Sequence, residues 1–173
     1  SQTSCIFEFE DDKEEYKKLI TKREIVNYED IATTDAHTLA TLIAVLKGIK
    51  KYKLKKLITF HSRVKGAKDF SSLIADLVSN LTNANKLGFG FESDFVSGAM
   101  PSFERDLKLR NLKMNKNITL LSNARCLSEG VDVPSLDAVV FADPRRSQVD
   151  IVQAIGRAIR KSENKKRGIL LLP

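Results

Sequence analysis

Short apolar runs at Leu57–Phe60, Phe91–Val96, Ile118–Leu121, Ala138–Ala142 and Ile169–Leu172 recur along the chain, separated by segments of helical length at about 64–81, 101–112 and 147–161. A strand that is apolar at successive positions has no face to show water, so it must be covered on both sides. Strands of that kind alternating with helices predict a doubly wound α/β domain, with a mostly parallel sheet flanked by helices. A further helix is expected from Asp35 to about Lys51, where Leu39, Leu42, Ile43, Leu46 and Ile49 recur at helical spacing and would lie against the sheet. With 173 residues, one core is the natural outcome. The boundaries expected are a polar lead-in over 1–34 and the folded domain over 35–173. Within the lead-in, Ile6–Phe9 reads as a short edge strand, and Asp12 with Glu15 has the spacing of a capping box.

No apolar run approaches the roughly 18 residues needed to span a membrane, so no membrane partner is expected. The acidic run from Glu8 to Glu15 is unlike a secretion signal, which leaves the cytoplasm as the expected compartment. Cys5, Cys126, His37 and His61 are too few and too scattered for a zinc cluster or a disulfide framework, so no metal site is expected. The net charge of +7 is uneven: Lys47, Lys50, Lys51, Lys53, Lys55 and Lys56 crowd one segment, and Lys161, Lys165, Lys166 and Arg167 another. Such runs suit a polyanion partner, and they equally suit lysines that are simply solvated.

In parallel sheets ligands gather at the carboxyl ends of the strands. The densest chemistry follows the fourth run. Ser147 is placed to cap a helix on which Ile151, Ile155 and Ile159 form one stripe and Gln153, Gly156, Arg157 and Arg160 another. Two guanidiniums one turn apart can grip a polyphosphate bidentately, and Gly156 permits close approach. Taken alone, the same stripe could be an exposed basic helix face. Upstream, Glu129-Gly130-Val131-Asp132-Val133-Pro134 is either a ligand-facing turn or an ordinary strand-to-loop turn with Asp132 as a capping acceptor.

Gln153-x-x-Gly156-Arg157-x-x-Arg160 resembles motif VI of superfamily 2 helicases, and the segment Ser122–Pro134 resembles motif V, in the family's order. Leu57–Arg63 is similar to motif IV, and Val96–Pro101 to a His-Gly-x-Met segment in which Ser97 replaces the histidine. The resemblance spans roughly residues 55–173 and identifies the chain with the second RecA-like domain of such motors; the run from Ser122 to Arg160 looks closest to the restriction-enzyme-like branch.

The resemblance implies that Arg157 and Arg160, with Gln153, act on the γ-phosphate of ATP from this side of a two-domain cleft. Gly130, Asp132 and Gly156 would bind nucleotide, with Asp132 on the ribose. Ser62, Arg63, Gly98, Ser122, Asn123 and Ser128 would contact the nucleic-acid backbone, and Ala124 stands where many relatives place a phosphate-touching threonine. His61 is expected to position a loop.

None of the eight glycines is followed by lysine, so no Gly-x-x-x-x-Gly-Lys-Ser/Thr phosphate loop occurs, nor does an Asp-Glu strand end. ATP with Mg²⁺ is therefore expected to be held mainly by a preceding amino-terminal RecA-like domain of the same parent chain, and this chain alone is expected to be inactive. DNA is the expected track, with RNA open because backbone contacts seldom reveal the sugar. The rival readings are a nucleic-acid-binding α/β module without enzymatic activity and a free-nucleotide-binding domain. The second lacks a Gly-x-Gly-x-x-Gly after a strand.

Overall fold

The computed structural model of the chain describes residues 4–5, 36–83, 90–124, 126, 136–143 and 169–171. They form a six-stranded sheet in which every pairing is parallel. In chain order the elements are β1 (Ser4–Cys5), α1 (Ala36–Tyr52), β2 (Lys56–His61), α2 (Val64–Asn83), β3 (Phe91–Ser97), α3 (Ser102–Met114), β4 (Ile118–Ala124), β5 (Ala138–Phe141) and β6 (Ile169–Leu171). Across the sheet the order is β1-β6-β5-β2-β4-β3.

Burial explains why the central strands read as continuous apolar runs. Along β2, Leu57 packs into a cluster with Leu42, Val45, Ile49, Phe70 and Ile74 of α1 and α2. Its neighbour Ile58 turns to the opposite cluster, with Val96, Leu112, Leu121 and Val139. β4 and β5 divide in the same way, Leu120 and Val140 to the first face, Leu121 and Val139 to the second. The sheet is therefore doubly wound, with α1 and α2 on one face and α3 on the other. Each such side chain contributes about 1.5–3 kcal/mol on burial, before ordering costs are set against it.

β3 departs from the fully apolar pattern. Glu92, Ser93 and Asp94 are exposed or half-buried, which an edge strand tolerates because β4 is its neighbour on one side only. Asp94 holds α3 against this edge by accepting from Lys108 at 2.8 Å, while the same ammonium lies 5.0 Å from the centroid of the Phe95 ring. The lead-in contributes β1, which pairs Ser4 with Ile169 and Cys5 with Leu170. The strand and capping box expected over residues 6–15 lie outside the described residues, as does the helix expected at 147–161. No described helix is long and apolar enough to cross a membrane.

The amino edge of the sheet is tied by Asp137. Its Oδ2 accepts the backbone N–H groups of Lys55 and Lys56, each at 2.8 Å, and its own N–H donates to the Lys56 carbonyl at 2.8 Å. These bonds set the register in which Leu57 faces Ala138.

α1 ends in a Schellman turn: the Leu54 N–H reaches back to the Ile49 carbonyl at 3.3 Å, and Lys53 has a φ of 56°. That left-handed position usually falls to glycine, since a Cβ there costs about 1 kcal/mol. Lys53→Gly is therefore expected to stabilise the fold by about 0.5–1 kcal/mol, read as a higher urea midpoint at unchanged slope. Equal or lower stability would show that the lysine side chain contributes more than its backbone costs.

Candidate functional site at the carboxyl edge of the sheet

The chain leaves β2 toward α2 and β3 on one side, and leaves β5 toward β6 on the other. The winding therefore reverses between the carboxyl ends of β2 and β5, the place where open parallel sheets hold ligands. Ser62 and Asp143 meet across that reversal: the Ser62 N–H donates to Asp143 Oδ2 at 2.5 Å. Beside them the Ala142 N–H donates to the Phe60 carbonyl at 3.0 Å, and the ring of His37, at the start of α1, donates through Nε2 to the Ala142 carbonyl at 2.5 Å. The carboxyl edge is thus braced from three elements.

Ser62 and Arg63 are both exposed at the beginning of α2. Arg63 supplies the first carbonyl of the helix, accepting from Ala67 at 3.1 Å, so the preceding hydroxyl and the guanidinium flank the helix amino terminus. The first turn of α2 carries no acidic residue, and its open N–H groups face the same side. Exposed serine, permanent cation and helix terminus together can receive a phosphate.

Beneath the exposed edge lies a polar relay. Thr59 donates to Ser122 Oγ at 3.0 Å, and its oxygen stands 2.9 Å from His61 Nε2. The threonine hydroxyl, the serine hydroxyl and the imidazole thus form one buried hydrogen-bonded chain linking β2 to β4. The imidazole packs on Phe70 at 5.1 Å between ring centroids. Burial pushes its pKa down to about 4, with the Asp143 carboxylate opposing the shift. His61 is therefore a neutral imidazole held by hydrogen bonding within the sheet.

The relay changes how two of the sequence-expected contacts sit. The Ser122 side chain is 0% exposed and the Asn123 side chain 1%, both facing the interior. Asn123 Oδ1 accepts the Cys126 N–H at 3.2 Å and lies 3.0 Å from Cys126 Sγ, holding the turn out of β4. Asn123 thus holds that turn and Ser122 bonds within the sheet to Thr59, while Ser62, Arg63 and Gly98 lie on the surface. Gly98 occupies the exposed turn closed by the Met100 N–H on the Ser97 carbonyl at 3.2 Å, and a Cβ added there would meet nothing within 4 Å. Pro101 caps α3 without a side-chain bond, and Arg105 leans back toward the Gly98 carbonyl at 3.5 Å.

Gln153, Gly156, Arg157, Arg160, Gly130, Asp132 and Ser128 lie outside the described residues. In the sequence Asp143 stands only as one residue of the run between the motif V-like and motif VI-like segments, with no site role; the sheet order sets it opposite Ser62. Among the described residues no group of three or more His, Cys, Asp or Glu could hold a metal ion.

An all-parallel, doubly wound sheet flanked by helices is the architecture of a RecA-like α/β domain. The model of the helicase conserved C-terminal domain matches residues 37–162, and the chain belongs to that family. It is 31% identical over 115 residues to a helicase-named protein of Sulfolobus islandicus filamentous virus (isolate Iceland/Hveragerdi), covering 64% of this chain and 20% of that protein. It is 44% identical over 59 residues to Probable helicase A859L of African swine fever virus (isolate Pig/Kenya/KEN-50/1950), covering 34% of this chain and 7% of the viral protein.

Among solved structures, the ATP-dependent Type ISP restriction-modification enzyme LlaBIII bound to DNA superposes with a TM-score of 0.61 at 26% identity, over 94% of this chain and 11% of that one. An HsdR fragment of a type I restriction enzyme from Vibrio vulnificus YJ016 gives 0.63 at 20% identity, over 88% of this chain and 30% of the fragment. These likenesses support the restriction-enzyme-like branch. The chain thus spans about a fifth or less of the viral relatives it matches.

The His61 shift has a sign that can be tested. The folded pKa lies below the ordinary imidazole value of 6.5, so between about pH 6.5 and 4 the unfolded chain binds more protons than the folded one. Stability is then fully present above pH 6.5 and falls as pH drops toward 4, by at most about 3 kcal/mol. Urea titrations across that interval are expected to show the decline, and His61→Asn should flatten it. An equally steep profile in His61→Asn would place the responsible group elsewhere.

Proposed function

We propose that this chain is the second RecA-like domain of an ATP-dependent superfamily 2 helicase or translocase, and that it works against an amino-terminal motor domain of the same parent polypeptide. The observation that carries this reading is the family match over residues 37–162, which includes both the motif V-like and the motif VI-like segments. The exposed polar exits at the winding reversal support it from the side of the fold.

In this reading ATP and Mg²⁺ are cradled by the partner domain, whose phosphate loop and acidic strand end this chain does not duplicate. Arg157 and Arg160 reach across the cleft to the γ-phosphate and stabilise the charge that spreads over it in transfer, with Gln153 on the same helical stripe. Gly156 allows the helix to approach, and Asp132 accepts from the ribose at the turn made by Gly130.

Ser62, Arg63 and Gly98 contact the strand being tracked, with Ser128 on the loop out of β4. Ser122 and Asn123 act on that contact by holding the loop from inside. Closure on ATP and opening after hydrolysis change the spacing between the backbone contacts of the two domains and advance them along the track. Contacts to phosphate imply weak sequence preference and strong salt dependence. DNA is the proposed track, in keeping with the DNA-bound restriction enzyme whose fold this chain shares.

The test is ATP turnover by the full parent polypeptide with single- and double-stranded DNA and RNA. Arg157→Ala/Arg160→Ala is expected to lower nucleic-acid-stimulated turnover by about 10³-fold or more while binding is retained. Unchanged turnover would sink the assignment of the arginines, and stimulation by RNA alone would rename the track. Arg63→Ala is expected to weaken binding evenly across sequences and to reduce the slope of log affinity against log salt by about 1. A slope that does not change would remove Arg63 from the interface.

A further inference from the structure

A second basic site lies at the opposite end of the strands from everything above. The carboxyl end of α1 and the residues leading into β2, β3 and β4 enclose a cavity of about 430 Å³. Its floor is apolar, made by the buried side chains of Ile49, Leu54 and Ile118. Its walls carry Lys50, Lys53 and Lys55 from the end of α1 and the lead into β2, and Lys116 from the lead into β4, all exposed. The volume falls within the roughly 300–1,000 Å³ typical of small-ligand sites.

Lysines at a helix end are often no more than solvated complements to the helix dipole. Here the charges are out of proportion to that role, since the end of α1 presents about half a negative charge against four ammonium groups. No described carboxylate lines the cavity. Two carboxylates bond to residues of its rim, Asp137 to the Lys55 N–H and Glu92 to the Asn117 amide at 3.1 Å, which leaves the four lysines in excess of them.

Lys53 is moreover held in a left-handed backbone conformation that glycine would adopt without strain. A strained residue whose side chain joins a cluster of like charges points to a use for that side chain. We infer that this cavity binds a phosphate-bearing nucleotide unit, its base or sugar on the Ile49–Leu54–Ile118 floor and its phosphate on the lysine rim. The unit is either one residue of a nucleic-acid strand or a free nucleotide, and the chemistry of recognition is shared. The site is separate from the carboxyl-edge contacts and does not depend on them.

Amide shift mapping on the 173-residue chain separates the cases, titrated in turn with a short oligothymidylate, with ADP and with inorganic pyrophosphate. The expected result is movement of the Lys53–Lys55 and Lys116–Ile118 amides. That movement and the associated affinity should fall by about fivefold or more in the Lys50→Gln/Lys53→Gln/Lys116→Gln variant.

A response to oligothymidylate and not to ADP assigns the site to a nucleic-acid strand; saturation by ADP at lower concentration assigns it to a free nucleotide. An equal response to pyrophosphate would overturn the role of the apolar floor, and with it the nucleotide. Shifts confined to Ser62, Arg63 and Gly98 would overturn this inference while leaving the motor reading intact, and no shifts with any of the three probes would overturn it outright.

Discussion

Burial of β2 on both faces is the constraint from which the rest of the domain follows. A strand at the centre of a parallel sheet must be covered by helices above and below, and its alternating side chains divide one apolar run between two cores. Leu57 and Ile58, adjacent in sequence, end in different clusters. That division requires α1 and α2 on one side and α3 on the other, and it leaves the carboxyl and amino ends of the central strands as the places where their backbone approaches water.

The same burial governs the polar residues of the central strands. Thr59, His61 and Ser122 sit where no water reaches, so each must find its partner within the sheet. They satisfy one another across the β2–β4 pairing, and the imidazole stays neutral because the interior disfavours its charged form. Asn123 does the same for the turn out of β4. Residues that resemble ligand contacts in the sequence thus serve as the rigid support for exposed neighbours, which is how a site on loops can be held precise enough to act.

The two ends of the strands differ in chemistry. At the carboxyl edge, Ser62 and Arg63 stand at an open helix terminus and Asp143 closes the winding reversal between β2 and β5. At the amino edge, Asp137 fixes the register while lysines from α1, from the lead into β2 and from the lead into β4 ring an apolar floor. Cationic side chains thus stand at both ends of the sheet, Arg63 at one and the four lysines at the other, separated by the length of the strands.

The sequence by itself determined the class of fold and the order of its elements. Apolar runs of strand length at 57–60, 118–121 and 138–142 that alternate with helical segments point to a parallel sheet covered on both faces, and the stripe from Leu39 to Ile49 to a helix packed on it. It determined the motif order too, because Gln153 to Arg160 and Glu129 to Pro134 are local patterns. Tertiary structure alone decided which polar residues are exposed. Ser62 and Ser122 are alike on the page, yet one lies a single residue beyond a strand end and the other two residues inside one, where Thr59 faces it. It alone set Asp143 opposite Ser62 and brought Lys116 and Ile118 against the lysine run of residues 50–55, since these are juxtapositions across strands distant in the chain, created by pairing and winding that no local periodicity encodes.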